Sequence, residues 1–240
     1  MEEKDYLFGK TYTCPACGEK FKNLTVRTGK VRTIGSDKDL RPINEGIDAV
    51  KYEVVMCALC GYAAVARFFE KPLASVQRKS IAEKITPKFT PKPDKEFYSY
   101  EDVLERYKMA ILSTAAKLGP ASEMAYTCLK VSWMLRGWRE GLADSETARK
   151  QKLEVQEREF QKKALEGFVT ANTKEEFPIC GMDENTLDYL TAVLYMEFEQ
   201  YDKSSKLISR ILSSHSAGSR LKDRARDIKD ELSAHMKGQE

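Results

Sequence analysis

Histidine is nearly missing from this 240-residue chain, which has only His215 and His235. That scarcity excludes a His-Glu-x-x-His metalloprotease helix and leaves few general bases. Both histidines are expected among solvated helical residues near the end. Gly-x-Gly-x-x-Gly, Gly-x-x-x-x-Gly-Lys and Gly-x-Ser-x-Gly patterns are also lacking, so no nucleotide cradle or nucleophile elbow is read. No long apolar run exists either. The longest uncharged stretch near the middle, residues 54–66, spans 13 residues, whereas a membrane helix needs about 20. The start, Met1-Glu-Glu-Lys-Asp5, is acidic where a secretory leader is basic and then apolar. An excess of one charge is missing too, with 40 Lys+Arg against 37 Asp+Glu and a net charge of +3. These absences point to a cytoplasmic protein without membrane contact, and no motif identifies a small-molecule substrate. Catalysis is not expected. The one compact polar cluster outside the helices, Asp37, Asp39 and Arg41, reads as an Asx-type turn.

What the chain does have is cysteine in pairs. Cys14-Pro-Ala-Cys17-Gly18 and Cys57-Ala-Leu-Cys60-Gly61 are two Cys-x-x-Cys-Gly knuckles. Two residues between the thiolates let one tight turn aim both sulfurs at a single ion, and two such turns complete a tetrahedron. The glycine after each pair permits the positive φ that lets the chain curl back toward the sulfurs. Cys14, Cys17, Cys57 and Cys60 are therefore the predicted metal ligands, and zinc is the expected ion. Iron accepts the same four thiolates, so the sequence leaves that choice open. With all four positions taken by protein, the expected role is structural. The two remaining cysteines stand apart. Cys128 lies on an apolar helical stripe, and Cys180 lies in a loop before a helix.

Alternating strand patterns flank the knuckles: Thr11–Thr13, Leu24–Val26, and Tyr52, Val54 and Met56. Residues 34–39 read as a turn, and residues 41–51 as a loop. The segment Thr86-Pro-Lys-Phe-Thr-Pro-Lys-Pro-Asp-Lys95 places three prolines close together, which reads as an extended linker. Beyond it, apolar residues recur at helical spacing to the end. Asp183 and Asp202 are expected helix caps. Leu187, Thr191, Leu194 and Phe198 are echoed 34 residues later by Leu221, Ala225, Ile228 and Leu232. That interval is the tetratricopeptide period, and Ala192 and Ser204 supply small residues where paired helices touch. The expected class is α+β: a small β zinc ribbon followed by an all-α tetratricopeptide-like helical domain. The divisions are 1–72 for the ribbon, 73–99 for a short helix and Pro-rich linker, and 100–240 for the helical domain.

The chain also resembles a known family, the bacterial domain-of-unknown-function family 2225. The first knuckle, the segment from Arg27 through Lys30 and Arg32 to Asp37-Lys-Asp39, and the run Tyr52–Ala64 carry the resemblance, with the helices around Trp133. It covers essentially the whole chain. It implies a zinc-ribbon-like N-terminus, a tetratricopeptide-like C-terminus and a bacterial origin, and it implies no activity. The second knuckle departs mildly, with Ala58 where such knuckles often carry proline.

Two functions compete on these residues. The first is protein–protein interaction, with a helical groove taking a segment of a partner. The alternative is nucleic-acid binding through the ribbon. There Arg27, Lys30, Arg32, Lys38 and Arg41 would meet phosphates, with Tyr12 and Phe21 near for stacking.

Overall fold

The computed structural model describes residues 2–237. It is an α+β structure, with three short antiparallel strand pairs followed by a helical region. The first pair joins β1 (Leu7–Thr13) to β2 (Lys20–Val26), with Leu7 opposite Val26 and Thr13 opposite Lys20. The second joins β3 (Thr33–Ser36) to β4 (Pro42–Asn44), and the third joins β5 (Val54–Met56) to β6 (Ala63–Val65). The first and third hairpins each turn through one knuckle. The second is an insert between them. Two expectations are corrected here. Residues 33–36 form a strand, with the turn confined to 37–40, and residues 41–51 contain β4 and a 3-10 turn at Ala49–Tyr52. Tyr52 accordingly belongs to that turn and not to β5.

The helices are α1 (Ala66–Phe69), α2 (Ser75–Lys84), α3 (Tyr100–Ala116), α4 (Ala121–Glu140), α5 (Thr147–Lys174), α6 (Glu184–Glu197), α7 (Tyr201–Ser213) and α8 (Ser219–Lys237). None is long and apolar enough to cross a membrane among the described residues. Local chemistry sets several boundaries. Ser99 and Asp102 form a capping box that starts α3. Gly119-Pro120 separates α3 from α4, because proline cannot extend a helix through its missing N–H. The Asp183 carboxylate accepts the Thr186 N–H at 2.8 Å and starts α6. Asp202 does not cap α7. Gln200 occupies that position, and Asp202 sits in the first turn near the positive end of the helix dipole.

Packing radiates from α4. Its Val131, Met134 and Leu135 are fully or almost fully buried. Gly167 of α5 lies so close to Ala125 of α4 that an added Cβ would stand 2.7 Å from the alanine Cβ. One apolar cluster runs from Tyr12 and the knuckles through α3, α4 and α5 to Leu194 of α6. A second cluster holds the far faces of α6, α7 and α8 together. Within it, the Ser204 hydroxyl donates to the Ala192 carbonyl at 2.8 Å, with both residues fully buried. His215 lies in the connection between α7 and α8, outside both helices. His235 lies on α8 and stacks on Tyr201 at 5.3 Å.

Candidate metal centre

The two knuckles are copies of one local structure. In the first, the Cys14 N–H donates to the Glu19 carbonyl at 2.9 Å and the Gly18 N–H to the Cys14 carbonyl at 2.8 Å. In the second, the Cys57 N–H donates to the Tyr62 carbonyl at 2.8 Å and the Gly61 N–H to the Cys57 carbonyl at 3.0 Å. Gly18 and Gly61 adopt φ of +83° and +75°, a conformation that costs a residue with a Cβ about 1–2 kcal/mol. At Gly61 a side chain is excluded a second time, since its Cβ would meet the Phe89 ring at 2.4 Å.

These turns bring Cys14, Cys17, Cys57 and Cys60 together, with all four sulfurs within 4.8 Å of one another. Cys14 Sγ lies 3.7 Å from Cys60 Sγ, and Cys17 Sγ lies 3.8 Å from Cys57 Sγ. A disulfide would require about 2.05 Å. Four thiolates held tetrahedrally at the usual zinc–sulfur distance of about 2.3 Å stand about 3.8 Å apart. The sulfurs thus sit near the corners of a tetrahedron of the right size for a metal ion. Cys14, Cys57 and Cys60 are buried, and Cys17 is exposed.

The four thiols also form an electrostatic unit. Hydrogen bonds from the Cys14 and Cys60 thiols, aided by the Cys60 and Leu59 N–H groups, hold Cys57 far below the ordinary thiol range. The Cys57 contact pushes Cys14 upward, and the Cys14 and Cys57 contacts push Cys60 upward. Like charges packed this closely ionise together only when a cation neutralises them. The donor set therefore suits a soft or borderline divalent ion. Beneath it, Tyr12, Phe21, Tyr62 and Phe69 pack edge-to-face, stacked or tilted, with ring centroids 5.2–6.1 Å apart. This aromatic floor joins the two knuckles. It also corrects the reading of Tyr12 and Phe21 as stacking surfaces, because both are buried in it.

The five cations considered for nucleic acid do not gather into one patch. Arg27, Lys30 and Arg32 are exposed. Arg27 donates to the Leu7 carbonyl at 3.0 Å, and Lys30 to the Asp5 carbonyl at 3.2 Å. Lys38 pairs with Glu231 of α8 at 2.6 Å. Arg41 is buried, pairing with Asp37 at 2.7 Å and with Glu140 of α4 at 2.6 Å. Asp37 and Asp39 form the expected turn, but they also clamp the insert to the helices. Arg136 of α4 reaches both carboxylates at 2.8 Å and Glu157 of α5 at 2.7 Å. The Trp133 indole N–H donates to Asp39 at 3.0 Å. Burial opposes the Arg136 charge, yet Asp39 and Glu157 hold its pKa above the ordinary range. Sequence reasoning missed Arg136, Glu157 and Glu140, which lie on helices some hundred residues away and carry no local signal. Cys128 and Cys180 stay outside the cluster, and burial pushes both thiols up to about 11.

A model of the family DUF2225, described as an uncharacterized protein conserved in bacteria, matches residues 7–232. The chain belongs to that family. No curated protein and no solved structure matches it. In this DUF2225 member, both knuckles and all eight helices fall largely or wholly within the matched span.

Proposed function

We propose that this protein is a zinc-stabilised cytoplasmic scaffold whose helical half binds a segment of another protein. The observation that carries the reading is the closed set of four thiolates. A site that fills every tetrahedral position with protein sulfur leaves none for a reacting water, so the ion acts as a structural cross-link. Zinc is favoured over iron because it needs no redox partner, and four free thiols suit a reducing compartment. The 34-residue echo and the tight Ser204–Ala192 contact support a tetratricopeptide-like reading of α6 to α8. Between α4, α5, α6 and the insert lies a cleft of about 360 Å³ whose rim includes Glu154, Arg158 and Glu197. Its charges favour a polar segment carrying both signs over an apolar helix. The nucleic-acid alternative is weakened because Arg41 is buried and Lys38 is engaged by α8.

The test combines metal analysis with partner capture. Purified protein is expected to hold one zinc per chain. Reversing the exposed charges at Glu154, Arg158 and Glu197 is expected to abolish capture of the partner while leaving the circular dichroism unchanged. A partner held equally well by the reversed protein would overturn the groove assignment.

A further inference from the structure

A second feature lies where the ribbon, the linker and α3 meet. The strap of residues 89–98 arches over β2 and the start of the second knuckle and encloses a cavity of about 210 Å³ that opens to solvent. Leu24, Met56, Phe89 and Pro93 give it apolar walls, and Arg106 of α3 is the buried cation lining it. An engineered apolar cavity of about 150 Å³ is enough to hold benzene, so this one has room for a ring with a small substituent.

Arg106 is 8% exposed. Its guanidinium donates through Nη2 to the Asn23 side-chain oxygen and to the Val54 carbonyl, the latter at 3.1 Å. Nε is buried and has no partner. No carboxylate lies within ion-pair distance of Arg106 among the described residues. The two acids beside it on α3 are already engaged. Asp102 pairs with Lys95 at 2.7 Å, and Glu105 pairs with Lys92. Both lysines belong to the strap. The Tyr98 ring lies 4.4 Å from the guanidinium and covers one face. Desolvation lowers the Arg106 pKa, and the nearby Asp102 and Glu105 charges only partly oppose it. An uncompensated buried charge is costly, and the ordinary remedy is an anion.

We propose that this cavity binds a small monocarboxylic acid with an apolar or aromatic body. One guanidinium without an ion-pair partner calls for one negative charge, because the flanking Asp102 and Glu105 are already neutralised by Lys95 and Lys92. The apolar walls take the body of the acid, while the carboxylate meets the Arg106 guanidinium. The strap lysines hold the neighbouring acids away from Arg106 and so keep the site cationic.

Titration of the metal-loaded full chain tests this, followed through the Arg106 Nε–H resonance and the amides of residues 22–24 and 94–98. Benzoate is the probe, benzyl alcohol its neutral counterpart, and inorganic phosphate an anion without an apolar body. Benzoate is expected to saturate these shifts, with the other two at least about tenfold weaker, since a charge-assisted contact contributes roughly 1.5–3 kcal/mol. Lys95 is at the surface, so Lys95→Met is expected to fold normally. It releases Asp102 to neutralise Arg106 and should weaken benzoate severalfold. Arg106→Gln should abolish binding. Benzyl alcohol or phosphate binding as well as benzoate would overturn the proposal, as would unchanged benzoate binding in a folded Arg106→Gln protein. If Arg106→Gln does not fold, the wild-type comparison of benzoate with benzyl alcohol decides. A scaffold role could fail while this site stands, since partner capture reads a different surface.

Discussion

Residues 7–65 and residues 184–232 differ in what closes their cores. The first region has three two-stranded pieces, each too short to bury much on its own, and its centre is a set of four sulfurs above an aromatic floor. The second has three helices whose apolar stripes meet one another directly, with Ala192, Ser204, Ala225 and Ile228 buried at the contacts. Isolated hairpins are marginal in water, whereas helix pairs with matching stripes are not. The short β region thus centres on four thiols placed to take an ion, while the helical one rests on side-chain fit. The helix α3 is tied to the first of these regions. Its Tyr107 hydroxyl donates to the Val50 carbonyl at 2.9 Å, and its Ser113 hydroxyl accepts the Ala63 N–H at 3.1 Å.

Removing the metal should sharpen this contrast most. A structural zinc supplies an apparent 10–16 kcal/mol or so of folding free energy. Chelation or Cys57→Ser is expected to abolish hydrogen-exchange protection through residues 7–65 and loosen α3, while α6 to α8 stay protected. Equal loss throughout the chain would erase the distinction between the two regions. Next in size is the clamp. Asp39→Ala leaves the buried Trp133 N–H without its partner and Arg136 with only Asp37 and Glu157, and should cost about 1–3 kcal/mol in denaturant unfolding. A loss near zero would mean that the insert is not anchored to α4. Gly61→Ala forces a Cβ against Phe89 at a left-handed position, with an expected loss of at least about 1–2 kcal/mol and faster metal release to a chelator. Ser204→Ala tests the helical side. It removes the bond to the Ala192 carbonyl and should lower stability by about 1 kcal/mol without changing metal content.

The smallest effect is one of pH. Cys128 and Cys180 are raised to about 11 from an ordinary value of 9.0. The unfolded chain therefore releases these protons first. Their contribution is fully present below pH 9 and is lost as pH rises toward 11. Replacing both by alanine should flatten that part of the stability–pH curve. An unchanged slope would place the loss on other groups.

The four-cysteine cluster was legible because its signal is local. Each knuckle is five residues long, and its spacing and glycine dictate the turn. The helices α3 to α8 were legible because their apolar periodicity runs for several turns. The β3–β4 hairpin was hidden. Its strands are four and three residues long, and Ile34 and Ile43 point outward, so no alternation marks a buried face. The clamp was hidden for another reason. Arg136 and Asp39 are 97 positions apart, and a charged residue on a helix looks solvated until its partner arrives. Tyr12 and Phe21 were misjudged alike, since aromatics on a strand look the same whether they await a base or fill a floor.

X-ray absorption at the zinc edge, with metal quantified per chain, addresses the central claim most directly. The account predicts one zinc per chain with four sulfur neighbours at about 2.3 Å and no nitrogen or oxygen in the coordination shell. Metal-free protein that keeps the ribbon folded, or a zinc bound by fewer than four sulfurs, would contradict it.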